Sequence, residues 1–217
     1  MIVPKPARAK PSTESQILFC RFVTIFDYHV DTPTFYAQNR TIIRVETEME
    51  PEVHIVEGYM QLVKKCFTMT NIMLEGGKEI DLLAINPHTN EKFHIEARVA
   101  IGKGFRLRLV DTQTKKGQKH KRGLDTLNEI KFSHPTVVDA VVDVFGCADY
   151  RRVLVVWEVE GDDVIEKARS VYGIEVWRMS DIIGELMGEV KTKPYRDDVL
   201  RTIQLISKKE NRFEYRK

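Results

Sequence analysis

Cysteine is scarce in this chain, and so are the other signatures that would settle its class quickly. Cys20, Cys66 and Cys147 are far apart, odd in number and form no CxxC pair. That argues against a disulfide framework and against a structural zinc site, and it fits a reducing, intracellular (cytoplasmic) setting. The N-terminus lacks the apolar core of a signal peptide, and no run is long enough for a membrane span, so no membrane partner is expected. No P-loop, GxGxxG or nucleophile elbow is present, which counts against an ATPase, a Rossmann dehydrogenase and a serine hydrolase. No histidine pair has ligand spacing, so His54, His88 and His134 carry no metal assignment. Charge of one sign is also missing in bulk. The formal net charge is +2, so any nucleic-acid surface must come from local clustering.

What remains is an ordinary globular composition, 42% hydrophobic and 30% charged over 217 residues, enough for a sizeable core. Residues 1–15 read as a basic arm rich in Pro and Ser, and 16–50 as a β-rich extension. Residues 51–190 read as the main α/β core, and 191–217 as a C-terminal amphipathic helix and tail. There is no internal repeat. In the core, "PEVHIVEGYMQLVKKCF" has helical spacing at Val53, Val56, Met60 and Val63, with Pro51 where a helix start tolerates it. "TMTNIML", "EIDLLAIN" and "FHIEARVAI" are three strands joined by "EGGK" and "PHTNEK", an antiparallel meander. "GKGFRLRLVDTQTKKGQKHKRG" is loop-like, with one short strand at Phe105–Val110. Helical spacing follows on both sides of Pro135. "YRRVLVVWEVE" suits a strand buried on both faces. "DDVIEKARSVYG" is a helix closed by Gly173, "IEVWRMS" a strand, and "DIIGELMGEV" a helix capped by Asp181. Trp157 and Trp177 are expected in the core or an interface. The order defines a mixed α/β layer rather than a bundle or a barrel.

The chemistry concentrates in "GGKEIDLLAINPHTNEKFHIEARV". Alternation puts Glu96 and Arg98 on one face of their strand, with His94 on the same face, where a lone histidine is more often structural or surface-bound than catalytic. If the hairpin pairs across Pro87–Lys92, Asp81 and Glu96 converge at one end of the sheet. Two adjacent carboxylates resist joint ionisation, and a hard divalent cation relieves that conflict. Such a pair is suited to metal-assisted phosphodiester hydrolysis.

From Glu57 to Glu158 the chain resembles the PD-(D/E)xK nuclease superfamily, the restriction-endonuclease-like fold shared with archaeal Holliday junction resolvases. The resemblance rests on a Glu-bearing helix, "GKEIDLLAIN" supplying an Asp, "HIEARV" in place of the usual Glu-x-Lys strand, then a helix and the buried strand "VLVVWEV". It implies a restriction-endonuclease-like core and a DNA endonuclease using Mg²⁺ or Mn²⁺. Asp81 and Glu96 would be metal ligands together with the main-chain carbonyl of Ala97, and Glu57 an auxiliary acid. Arg98 stands where the family has lysine. A guanidinium stays charged, so it supplies electrostatics without acting as a base. Lys78 or Lys103 could reach in to replace it. The basic stretch Lys103, Arg106, Arg108, Lys115, Lys116, Lys119, Lys121 and Arg122 would grip DNA by charge, without reading sequence. The reading allows a homodimer. Two rivals stand beside it. One is a nuclease fold without activity that serves as a nucleic-acid-binding or assembly module. The other is an unrelated α/β protein whose meander imitates the motif.

Overall fold

The computed structural model describes residues 35–36, 42–45, 49–99, 106–110, 112–113, 119–120, 123–191 and 194–214, with backbone alone at 35–36, 42–45, 112–113, 119–120 and 209–214. The arm at 1–15 and most of the extension at 16–50 lie outside the described residues.

Pro51 opens helix α1 (Pro51–Leu62), where its missing N–H costs nothing, and Val53, Val56, Tyr59 and Met60 form its buried stripe. Three strands follow: β3 (Phe67–Leu74), β4 (Lys78–Ile85) and β5 (Lys92–Arg98). Two short strands precede them, β1 (Phe35–Tyr36) and β2 (Ile42–Val45). Gly76 and Gly77 take φ of 75° and 69° in the β3–β4 turn, a region glycine enters without steric cost. The β4–β5 turn is built by Asn86, whose Oδ1 accepts the N–H groups of His88 and Thr89, with Asn90 at φ 60°.

A two-stranded ribbon, β6 (Thr112–Gln113) and β7 (Lys119–His120), interrupts the core. The short helix α2 (Leu124–Leu127) runs directly into a π-helical turn, Asn128–Phe132. Pro135 then starts α3 (Pro135–Phe145), and Gly146 ends it at φ 68°. The remaining elements are β8 (Arg151–Val156), α4 (Asp162–Tyr172), β9 (Ile174–Arg178), α5 (Met179–Glu189) and α6 (Asp198–Glu214).

The sheet order is β1-β2-β3-β4-β5-β8-β9. Strands β1 to β5 run antiparallel to their neighbours; β8 is parallel to β5, and β9 to β8. Helices cover both faces of this mixed α/β sheet. On one face Leu82, Ala84, Phe93, Ile95, Ala97, Val153 and Val155 pack against α1 and α5. On the other, Leu154 and Val156 pack against α2, the π turn and α4, while Ile80 and Leu83 pack against α3. The β8 run is buried on both faces, as its unbroken apolar sequence requires.

Three local expectations change. The helix anticipated from an Asp181 cap begins earlier, at Met179, with Arg178 extended at the cap position and no side-chain cap. The short strand anticipated at Phe105–Val110 reduces, in the described residues, to single bridges: Leu107 to Val159 and Arg108 to Gly123. Trp177 packs against the core as anticipated, whereas Trp157, one residue beyond the end of β8, is 45% exposed.

Candidate active site: a buried carboxylate pair closed by Lys131

The hairpin ladder between β4 and β5 ends at Leu82↔Ile95. The next pair in that register is Asp81 and Glu96, and there the two strands part. The N–H of Ala97 donates to Asp81 Oδ2 at 2.8 Å, so a side chain fills the gap that a backbone carbonyl would otherwise fill. Asp81 is 4% exposed and Glu96 is fully buried.

A feature on β3 explains how Asp81 reaches this gap. The β3–β4 ladder runs from Phe67↔Ile85 to Thr70↔Leu82 and resumes at Ile72↔Ile80, leaving out the Asn71–Asp81 position. Asn71 is buried there with φ 51°, a left-handed conformation uncommon for any residue but glycine. The register sum is unchanged across the gap, so no residue is inserted; the chain is kinked. Strict alternation also fails on β4. Ile80 and Leu83 share the α3-side cluster, while Leu82 faces α1. The kink frees the strand at Asp81 to turn its carboxylate toward β5.

The group that closes the site is Lys131, from the π turn. Its Nζ lies 3.0 Å from Asp81 Oδ1 and 2.7 Å from Glu96 Oε2, and it donates to the Glu79 carbonyl at 2.9 Å. The ammonium thus hydrogen-bonds two oxygens and faces a third. The contact with Glu96 is an ion pair whose angles fall outside hydrogen-bond geometry, so Oε2 is a buried oxygen with no hydrogen bond in line. The π turn is what aims this lysine. Ser133 N–H donates back to Asn128 O across five residues, widening the turn that presents both Lys131 and Phe132 to the sheet. Such π turns are rare and recur at functional sites.

Behind Glu96, His94 Nε2 sits 3.0 Å from Glu96 Oε1, and its ring packs on Phe132 at 4.9 Å. Burial pushes the imidazole down to about 3, so it is neutral. With Glu96 accepting, the proton is on Nε2, and Nδ1 is buried without a hydrogen-bond partner. Burial, and then the neighbouring Glu96, push Asp81 up to about 6, against the pull of Lys131 and Arg98. Burial also raises Glu96, opposed chiefly by Lys131. For Lys131 burial favours the neutral form, but Glu96 and Asp81 more than offset it, so the ammonium is held charged.

Of the residues anticipated from sequence, the structure brings Asp81 and Glu96 together. Arg98 stands at the mouth, its side chain 31% exposed, with Nη2 at 4.0 Å from Asp81 Oδ1 and 3.7 Å from Glu96 Oε2. Ala97 belongs to the cluster through its N–H. Glu57 does not join it. Its Oε1 accepts from Thr68 Oγ1 at 2.9 Å and from Gln61 Nε2 at 3.1 Å, on the α1 face of the sheet. Arg106 and Arg108 are engaged rather than free. They pair with Glu158 at 2.7 Å and Glu160 at 3.4 Å, acids that lie outside the basic stretch in sequence. Lys103, Lys115, Lys116, Lys121 and Arg122, and the side chain of Lys119, lie outside the described residues. Among the described residues the lysine that reaches the carboxylates is not Lys78 but Lys131, which the sequence reading missed. Its one signal was a lysine among the apolar positions Leu124, Leu127, Ile130 and Phe132.

The donor set is compatible with a hard divalent cation. Two carboxylates suffice for Mg²⁺, which leaves its other positions to water and phosphate. Glu96 Oε2 has no in-line hydrogen bond, and with Asp81 Oδ1 it already holds one cation, the ammonium of Lys131. Among the described residues no group of three or more His, Cys, Asp or Glu is placed to hold a metal ion.

No family model matches the chain, and no curated protein matches it. Among solved structures, one described as a protein of unknown function, AF1548, is similar at 14% identity and a TM-score of 0.37, covering 75% of this chain and 94% of that one. At that level it adds nothing to the reading of the site. Among the described residues no helix is long and apolar enough to cross a membrane.

Proposed function

We propose that the chain is a metal-dependent endonuclease acting on DNA phosphodiester bonds, built on a restriction-endonuclease-like core. The observation that supports this most is the convergence of Asp81, Glu96 and Lys131 at the point where β4 and β5 part. The element order is consistent with it: a helix, three antiparallel strands, a helix, then a parallel strand. In this reading the missing lysine of the Glu-x-Lys strand is supplied from the π turn, and Arg98 is an added cation.

Asp81 and Glu96 would hold Mg²⁺ or Mn²⁺, which would polarise a phosphodiester oxygen and make a bound water more acidic. The protein's own contribution is electrostatic and positional. Lys131 holds both carboxylates toward one point and keeps a positive charge beside it. Arg98, at the mouth, is placed to meet a phosphate oxygen, and both cations stay protonated, so neither serves as a base. His94 donates its Nε2–H to Glu96 Oε1, fixing that carboxylate's rotation. Leu154, in register with Glu96, and Phe132, clustered with it on the same face of the sheet, keep water away from the pair's inner side.

The second reading, a nuclease fold without activity, draws on a specific observation. Glu96 is wholly buried, and Lys131 already neutralises the pair. A cleavage assay on plasmid, linear and branched DNA with Mg²⁺ and with Mn²⁺ tests the choice. Cleavage by the native chain that Asp81→Ala removes supports the enzyme. DNA binding without cleavage in either metal supports the binding module.

A further inference from the structure

We propose, as a deepening of the nuclease reading and resting on its metal site, that the Lys131 ammonium is the resident counter-ion of the carboxylate pair and that a divalent cation enters only by displacing it. Lys131 then sets how weakly the DNA-free protein takes up metal.

Each carboxylate has one oxygen committed to the protein. Asp81 Oδ2 accepts the Ala97 N–H at 2.8 Å, and Glu96 Oε1 accepts from His94 Nε2 at 3.0 Å. That leaves Asp81 Oδ1 and Glu96 Oε2 to bind a cation. They are the same two oxygens that Lys131 Nζ contacts, at 3.0 and 2.7 Å. A metal ion bridging Oδ1 and Oε2 stands where Nζ stands, so the two cations exclude each other. Among the described residues no group of three or more His, Cys, Asp or Glu is placed to hold an ion, so no third ligand draws the metal to a different position.

Charge balance points the same way. The two carboxylates already face two cations, Lys131 and, at 4.0 and 3.7 Å, Arg98. A divalent ion added without the loss of a cation would meet an excess of positive charge in a buried place, where like charges repel strongly. Lys131 is the cation in the way, and it is the one built to move. Its hold on Glu96 is charge alone, whereas its bond to the Glu79 carbonyl, at 2.9 Å, depends on neither carboxylate. A lysine stem is flexible and carries three rotatable donors, so Nζ can give up the carboxylates and keep the Glu79 carbonyl. After the exchange the ammonium stays beside the site, with donors released for a phosphate oxygen.

Mn²⁺ binding to the DNA-free protein, read by titration calorimetry at one fixed pH, tests the exchange. Lys131→Met and Lys131→Gln should each bind Mn²⁺ about 10- to 100-fold tighter than the native chain, within the range over which contacting groups couple. Glutamine keeps a donor for the Glu79 carbonyl without the charge, so the two variants separate charge from packing. Arg98→Gln, at the mouth, should gain no more than about threefold. Adding Asp81→Ala to Lys131→Met should abolish the gain. In the native chain, saturating Mg²⁺ should shift the NMR signal of the Lys131 Cε. An unmoved signal, or Mn²⁺ affinity no higher than native in both neutral variants when circular dichroism shows them folded, overturns the exchange even if the native chain cleaves DNA. No Mn²⁺ bound by the native chain or by either variant would remove the metal site, and the nuclease reading with it. The expected gain without cleavage by any of the proteins would keep the exchange and remove the enzyme.

Discussion

Replacing Lys131 with methionine removes one ammonium and leaves two carboxyls facing each other inside the sheet. The change is worth working through because its sign depends on pH. At 3.0 and 2.7 Å, each ion pair amounts to about 5–6 kcal/mol of gross attraction at an effective dielectric constant near 20. Most of that attraction offsets the cost of burying the charges. The net penalty for stranding buried carboxylates is about 3–5 kcal/mol. Asp81 already binds its proton more tightly when folded, at about 6 against a reference of 3.8. Its titration therefore favours folding in acid, and that contribution is lost as pH rises through about 6. Without Lys131 both carboxyls move further up, so the variant's deficit must grow as they are forced to ionise. In urea unfolding with EDTA, Lys131→Met should lie within about 1 kcal/mol of the native chain near pH 4.5, where the pair is neutral and the swap keeps most of the stem's volume. Near pH 8 it should be weaker by roughly 3–5 kcal/mol. An equal deficit at both pH values would mean that only packing or the Glu79 bond was lost. No deficit near pH 8 would mean that Lys131 does not neutralise the pair.

Other outcomes follow from the same geometry. Asp81→Ala and Glu96→Ala should each abolish cleavage while DNA binding stays intact or tightens, since each removes a negative charge; full activity in either would remove the metal-site assignment. Arg98→Ala should retain cleavage within about tenfold, and Arg98→Lys should gain little, because the lysine is already supplied by Lys131. A gain of 10²–10⁴-fold in Arg98→Lys, roughly the worth of a restored acid–base group, would show that position 98 is the one that matters. Asn71→Gly should fold as well as the native chain, whereas Asn71→Val should be less stable by about 1–2 kcal/mol and lose activity, because a β-branched residue resists the left-handed backbone. Equal stability of the two variants in urea would show that the kink at Asn71 is not needed.

The core elements were legible because their signals are local. Pro51 and Pro135 mark helix starts, Gly76 and Gly77 a turn, Gly173 a helix end, and the unbroken run of β8 a strand buried on both faces. Asp81 and Glu96 were legible as a pair for the same reason: one hairpin with one tight turn fixes their register. Three features were not. Lys131 joins the site through contacts remote in sequence, and only after the helix widens into a π turn. At regular helical spacing it would read as a charge breaking an apolar stripe. Asn71 looks like a polar residue in an ordinary strand; its left-handed backbone leaves no trace in residue type, although Asn is among the few that tolerate it. Arg106 and Arg108 were read as a free basic stretch because the acids that neutralise them, Glu158 and Glu160, lie some fifty residues away in sequence, a separation set by the bridge from Leu107 to Val159. The alternation rule placed Glu96 and Arg98 on one face, and it failed on β4 at Asp81, the residue the chemistry needs most. A strand that obeyed it there would pack Asp81 as a regular member of the ladder, with its carboxylate held by the sheet rather than turned into the gap. The local violation and the site have one physical cause, so a search for strand positions where alternation breaks beside a carboxylate would have pointed to this site without any motif.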